Sequence, residues 1–244
     1  MSQILTDDAA VRRVQTVLAE SGFYTGQVDG VWGGLAEGAL TQALLAAAAG
    51  AVDAAIPPLP GASSAVAADL RLCWGARVSP TFRARVHWIA HDLGLKADDL
   101  MACMAWESGE TFSAGIRNGA GSGATGLIQF MPKTAISLGT TVERLAVMTA
   151  EDQLNFVYKY FRPWKGRLQN LGDIYMAILW PAGVGKPDSY VLWEKGARPT
   201  TYRQNAGLDS DKDGQITRAE CLGKIREKQA RGFQPGNVWP GAAS

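Results

Sequence analysis

The apolar positions of this chain recur mostly at helical spacing, and the expected fold is mainly α. In 6–20, Val11, Val14, Val17 and Leu18 are expected on one face, with Thr6 and the Asp7-Asp8 pair suited to opening the helix. A turn-rich run at 21–33 leads to a second expected helix over 35–49. Residues 50–66, GAVDAAIPPLPGASSAV, combine prolines with small residues and read as a linker. The expected division is therefore a small helical module at 1–53, a linker at 54–68 and a larger helical domain at 69–244. In that domain Ser79 is the expected N-cap, with Pro80 at the first helical position. Phe82, Val86, Ile89 and Leu93 make its buried stripe, and Gly94 ends it. His87 and His91 lie one turn apart on the same helix, a spacing that can hold a metal, but with no third ligand they are expected on a solvated face. Further helices are expected from Pro132 to a stop at Gly139, over 149–161 with Leu154, Val157, Tyr158 and Phe161 inward, and over 170–180, NLGDIYMAILW.

The most informative stretch is 101–130, MACMAWESGETFSAGIRNGAGSGATGLIQF. It opens as an apolar helix, begun by Asp98 and Asp99 at its positive end and expected to stop at Gly109. Glu107 then lies in the last turn, beside Trp106 and Phe112, where unsatisfied carbonyls and desolvation both disfavour a charged carboxylate. Those are the conditions that keep a glutamic acid protonated near neutral pH as a general acid. The plainer alternative is a surface glutamate on a helix end. Residues 121–126, GSGATG, also fit the dinucleotide fingerprint G-x-G-x-x-G, but that needs a strand before and a long helix after. A Gly-broken polar loop precedes it and Pro132 follows, so the fingerprint is rejected.

Composition narrows the classes without choosing among them. A net charge of +1 over 244 residues gives no electrostatic reason to expect nucleic acid or a membrane surface as partner. The start, MSQILTDDAAVRR, has no apolar run after a basic one, so no secretory signal is expected, and no stretch approaches a membrane span. Cys73, Cys103 and Cys221 are odd in number and far apart, and are expected as reduced, partly buried thiols.

The Glu107-Ser108 pair followed about twenty residues on by Gly126-Leu127-Ile128-Gln129 resembles the lytic transglycosylases, whose catalytic domain is goose-lysozyme-like. The resemblance covers roughly 70–190. In the first domain, Val14-Gln15, Leu18, Gly22-Phe23-Tyr24, Val28-Asp29-Gly30 and Trp32-Gly33 resemble a peptidoglycan-binding domain of the three-helix type. The expectation is thus a small wall-binding module joined to a lysozyme-like helical catalytic domain; the plainer alternative for the module is a spacer or dock. The family's third motif, Ala-Tyr-Asn before a glycine turn, is replaced here by Ile178-Leu179-Trp180 before Pro181-Ala182-Gly183-Val184-Gly185. Tyr175, one turn earlier, is the stand-in, with a core tyrosine as the alternative.

What the resemblance implies is peptidoglycan cleavage at the bond between N-acetylmuramic acid and N-acetylglucosamine, with a 1,6-anhydro product. Glu107 is the implied single catalytic acid and base, with Ser108 orienting it. Gly126, Leu127, Ile128 and Gln129 would line the cleft, and Phe130, Trp106 and Tyr175 offer ring faces to sugars. No cofactor is expected for the reaction. The modular plan resembles a bacteriophage endolysin, made in the host cytoplasm and released to the wall by a holin, or a tail-associated lysin; the expected state is a monomer or an assembled tail component. A muramidase using water, and a non-catalytic wall-binding or tail protein, are the rival readings.

One motif lies outside that resemblance. Residues 209–220, DSDKDGQITRAE, satisfy D-x-D-x-D-G-x5-E, with glycine at the sixth position and isoleucine at the eighth. The expected ligands of a structural calcium ion are the side chains of Asp209, Asp211 and Asp213, the backbone carbonyl of Gln215, Thr217 directly or through water, and both oxygens of Glu220. The alternative is a solvated acidic turn closed by a Thr217/Glu220 capping box. A helix over 218–231 is expected after the loop, and only a weak one before it, because Pro199 and Gly207 are close.

Overall fold

The computed structural model describes residues 8–20, 24, 26–31, 40, 70–119 and 121–241. The expected helix over 35–49, apart from Leu40, the linker, Thr6 and Trp32-Gly33 lie outside the described residues. Among the described residues the chain is mainly helical, with nine α-helices and one two-stranded sheet. By its contacts it divides into two compact units, one of Met1–Pro57 with Pro132–Thr141, the other of Pro58–Met131 with Val142–Ser244.

In the first unit, helix α1 (Asp8–Glu20) carries an acid in its first turn and buries Val11, Gln15 and Leu18. Val17, expected inward, is instead exposed. At 100° per residue it lies about 100° from Leu18 and on the far side from Gln15, which takes its place on the inner face. Gln15 accounts for the turn motif that follows. Its side-chain amide donates to Asp29 Oδ1 at 2.9 Å and to the Val31 carbonyl at 3.1 Å, while its oxygen accepts from the Gly30 N–H at 2.9 Å. Gly30 has φ 78°, and a Cβ there would come within 3.0–3.1 Å of Arg12 and Asp8 atoms, which is why the motif carries glycine at that position.

The second unit is organised around one helix. Helices α2 (Pro80–Leu93) and α3 (Ala97–Glu107) are joined by Gly94, which takes φ 72° as the left-handed cap. Ser79 caps α2 by accepting from the Phe82 N–H, and Phe82, Val86, Ile89 and Leu93 are all buried, as the pattern requires. In α3 every residue from Leu100 to Ala105 is fully buried. A helix apolar all round must be central, and α3 is packed by α2, by α7 (Leu171–Leu179) and by α9 (Arg218–Gly232). Helix α6 (Ala150–Phe161), capped by Thr149, packs on α2 with Leu154, Val157, Tyr158 and Phe161 inward. Two short helices, α4 (Pro132–Ser137) in the first unit and α5 (Val142–Ala146) in the second, lie between α3 and α6 in sequence. All three cysteines are buried and unpaired. His91 is exposed as expected, but His87 is half-buried, hydrogen-bonded to the Leu70 backbone, and burial holds its imidazole below the usual value.

The sheet was not expected from the helical pattern. Strand β1 (Val191–Glu194) pairs antiparallel with β2 (Gln215–Thr217), Val191 opposite Thr217 and Glu194 opposite Gln215, with a bulge at Leu192. The helix before 209–220 also forms, as α8 (Pro199–Asn205), with Pro199 at its first position, where proline's missing N–H costs nothing. It runs into a 3-10 turn, Ala206–Leu208, so that Gly207 extends the helical path rather than breaking it.

Candidate active site and candidate metal loop

Helix α3 delivers Glu107 at its last position, and the chain then reverses sharply. Ser108 is the cap: its buried hydroxyl donates to the Met104 carbonyl at 2.7 Å and accepts from the Phe112 N–H at 3.1 Å. Ser108, expected to orient Glu107, thereby fixes the helix end from which Glu107 projects. Gly109, Glu110 and Phe112 follow with φ of 59°, 68° and 50°. Two non-glycine residues in the left-handed region within three positions is a concentration of strain of the kind found at functional sites.

Two cavities, of about 430 and 400 Å³, share Trp106, Glu107 and Asn118 as lining, so Glu107 borders both. Tyr175, Leu179, Gln204, Asn205, Leu208 and Lys224 line the first; Thr111, Ile116, Arg117 and Gln129 line the second. Among the described residues Glu107 is the only carboxylate in either lining. Burial pushes its carboxyl up to about 8. Two tyrosines feel its charge: Tyr175 is raised well above its ordinary value by burial first and Glu107 next, and Tyr160 to about 12 by the same two causes in the same order. Tyr175 is also hydrogen-bonded to the Trp106 side chain, which ties α7 to the end of α3.

The other nearby acid has a different fate. Glu110 is paired with Lys228 and, at 2.9 Å, with Arg231, both on α9. Its charge is spent on fastening the chain reversal to that helix.

The 125–130 loop is a tight hairpin. Thr125 and Phe130 exchange both backbone hydrogen bonds, at 3.1 and 2.9 Å, and the Gly126 N–H donates to the Ile116 carbonyl at 2.8 Å. Gly126 has φ 86°, and a Cβ there would lie 2.2 Å from Gln153 Oε1. That Gln153 oxygen accepts from the Leu127 N–H at 2.7 Å, and its amide nitrogen donates to the Ala114 and Leu145 carbonyls at 3.1 and 3.0 Å. A fully buried amide on α6 thus holds the loop. Of the loop residues expected at the cleft, Gln129 alone lines either of these two cavities. Its side-chain nitrogen donates to the Gly126 carbonyl at 3.1 Å and reaches that of Ile116 at 3.4 Å, leaving the amide oxygen for a ligand. Gly126, Leu127, Ile128 and Phe130 are buried beneath it, and Phe130 turns its ring edge to Tyr160 with centroids 6.3 Å apart. Tyr175 is buried too, yet lines the first cavity.

Gln153 escaped the sequence reading, although it had a signal. It shares an apolar helical face with Val157, and a polar side chain on such a stripe must bond its neighbours. Gln15 on α1, quoted with the turn motif, is likewise a buried amide that bonds its neighbours. Asn118, Gln204, Asn205 and Lys224 carried no comparable signal, because only the fold brings them to Glu107.

In 209–220 one oxygen from each of Asp209, Asp211 and Asp213 lies within 4.8 Å of the others. Asp209 is 7% exposed; its Oδ2 accepts from the Tyr202 hydroxyl at 2.5 Å and the Gly214 N–H at 3.1 Å, while its buried Oδ1 has no partner. An orphaned carboxylate oxygen beside two more carboxylates fits a hard cation. Gln215 lies on β2, and Thr217 and Glu220 form the capping box of α9, with both Thr217 groups on Glu220 Oε2 at 2.9 Å. Glu220 Oε1 accepts from the Ser210 N–H at 2.8 Å. The three aspartates therefore converge, while both Glu220 oxygens are taken by the capping box and by Ser210.

No protein-family model matches this chain, and no curated protein matches it.

Proposed function

We propose that the chain is a lytic transglycosylase of bacterial peptidoglycan, with Glu107 as its sole acid and base. The observation that carries this reading is a single carboxyl, pushed up to about 8 by burial, bordering two cavities whose linings hold no other carboxylate among the described residues. Ordinary glycosidases place two carboxyl groups about the scissile bond. Here Glu110, three residues on in the chain, is bound to Lys228 and Arg231.

In the proposed reaction Glu107 gives its proton to the glycosidic oxygen as the C1–O bond of N-acetylmuramic acid breaks. The sugar's own acetamido oxygen stabilises the cationic C1. Glu107, now a carboxylate, takes the proton of the C6 hydroxyl, whose oxygen closes on C1. The 1,6-anhydro ring forms and Glu107 regains its proton, with no water consumed. Trp106, on both cavities, offers a ring face to the sugar chain, and the Gln129 oxygen offers an acceptor for an acetamido N–H.

The same reading makes the first unit a wall-binding module and the protein a bacteriophage lysin acting on the host wall, either released as an endolysin or carried on a tail. Residues 209–220 are proposed to hold calcium, for which the oxygen-only donors and their spacing are suited. Mass spectrometry of digested peptidoglycan tests the reaction. Muropeptides lighter by one water are expected; reducing ends alone would reassign the chain as a muramidase, and no cleavage would leave a wall-binding or tail protein.

A further inference from the structure

The acidic loop and the Glu107 groove are one construction. The four residues Gln204, Asn205, Gly207 and Leu208, which line the groove beside Glu107 and Tyr175, lead directly into Asp209. Two bonds tie this segment to the first acid of the loop: the Tyr202 hydroxyl to Asp209 Oδ2, and the Asp209 N–H to the Ala206 carbonyl at 3.3 Å. The other flank of the loop reaches the same cavity. Lys224 stands one turn beyond Glu220 on α9 and lines it.

A second strut runs from the loop's exit. Arg218, buried, pairs with buried Asp173 on α7 at 3.0 Å and with Asp188 at 2.7 Å. Asp173 also accepts from the Gly185 N–H at 2.9 Å, and Tyr175 lies two residues further along α7. Gly172 makes room for this, since a Cβ there would lie 2.4 Å from the Arg218 guanidinium. One wall of the groove is therefore bonded to 209–220 at Asp209 and, through α7, at Arg218. Within that loop three carboxylates converge, and the buried Asp209 Oδ1 lacks a partner. Like charges at that spacing push the loop open unless a cation joins them.

We propose that Asp209, loaded with calcium together with Asp211 and Asp213, fixes residues 204–208 as a sugar-contacting wall of the Glu107 groove, so that loading sets how tightly a glycan strand is held. The inference rests on the proposed activity for the identity of the strand, but not for the coupling itself. Gln204 and Asn205 are its substrate-facing residues, amide groups suited to sugar hydroxyl and acetamido partners. Removal of calcium is expected to act on KM and leave kcat within a few-fold, because Glu107 sits on α3, away from the loop.

Hydrogen exchange of the full chain, with and without calcium, tests the coupling without any substrate. Calcium is expected to slow exchange in 209–220 and also, by roughly tenfold or more, in 199–208. The Asp211→Asn variant should lose both effects. Tyr202→Phe should keep calcium binding by calorimetry and lose most of the protection of 199–208. On the Glu107→Gln background, calcium should tighten binding of the N-acetylglucosamine tetramer by about tenfold, read by tryptophan fluorescence. Failure to bind calcium, or protection confined to 209–220, overturns the proposal. Protection of 199–208 with no anhydro product from peptidoglycan would count against the proposed reaction while leaving the wall established.

Discussion

Glu107 and Glu110 are the same residue type, three positions apart, on the two sides of Gly109. The first ends a buried helix, lines two cavities and is pushed up to about 8 by burial. The second sits in a left-handed turn and is held by Lys228 and Arg231. The difference comes from a helix more than a hundred residues later, which forms ion pairs with Glu110 through Lys228 and Arg231 and only brings Lys224 to the cavity that Glu107 lines. A carboxylate's chemistry is therefore set by what the fold brings to it, and two adjacent acids need not form a catalytic pair.

The comparison breaks most directly if Glu107 proves dispensable. Glu107→Gln is expected to lower the rate of peptidoglycan cleavage by about 10²–10⁴-fold, the usual worth of a positioned general acid. Its folded state should hold, because a neutral amide of the same shape replaces a carboxyl that is neutral in the fold below about 8. Undiminished lysis with unchanged thermal unfolding would remove Glu107 from the mechanism.

The next largest effect concerns the floor of the groove. Gly126→Ala places a methyl 2.2 Å from Gln153 Oε1 at φ 86°, and is expected to cost about 3 kcal/mol by strain and lost hydrogen bonds. Gln153→Leu should cost a similar amount, since it leaves the Leu127 N–H and the Ala114 and Leu145 carbonyls without their buried partner. Denaturant unfolding measures both. If either variant unfolds like the parent, the loop is held by something other than this amide.

A third test uses pH. Glu107 must begin the reaction protonated, so activity should fall as pH rises through about 8 and drop tenfold for each further unit. Stability follows the same proton. The folded state binds it more tightly than the unfolded chain does, so the stability it contributes is full below the unfolded value, about 4.3. It is lost as pH rises to about 8. Glu107→Gln lacks this loss, and its Tm should gain on the parent between those limits. An activity limb near 5, with parallel Tm curves, would show the carboxyl to be ordinary.

Much of this was legible in the sequence. The apolar stripes of α2 and α6, the cap Ser79, and the place of Glu107 in the last turn of α3 followed from local rules of spacing and capping. So did the convergence of Asp209, Asp211 and Asp213, which a fixed loop spacing encodes within twelve residues. What could not be read was long-range. β1 is a four-residue strand that exists because β2 needs a partner, and Val191 to Glu194 carries too little alternation to announce itself. The pairing of Glu110 with α9, the clamp of Gln153 and the arrival of 204–208 beside Glu107 are likewise set by packing between distant segments. The burial of Gly126, Leu127, Ile128 and Phe130 also depends on contacts from outside the motif, Gln153 among them.

The smallest expected effect is the sharpest test of the contrast. Glu110→Gln removes the partner of Lys228 and Arg231, pairs that are partly solvated, and should cost about 1 kcal/mol at low salt and less at high salt. Catalysis should survive, since Glu110 lines neither cavity. One change in activity is nevertheless expected. Lys228 lies 5.8 Å from the centroid of the Trp106 ring, next to Glu107 in sequence. Without Glu110 its charge is no longer offset, and an uncompensated cation favours the ionised form of a nearby carboxyl. The alkaline limb of the pH–activity profile should therefore move to lower pH, and high salt should restore it. A limb that stays in place would mean that the two glutamates, although neighbours in sequence, are electrically separate.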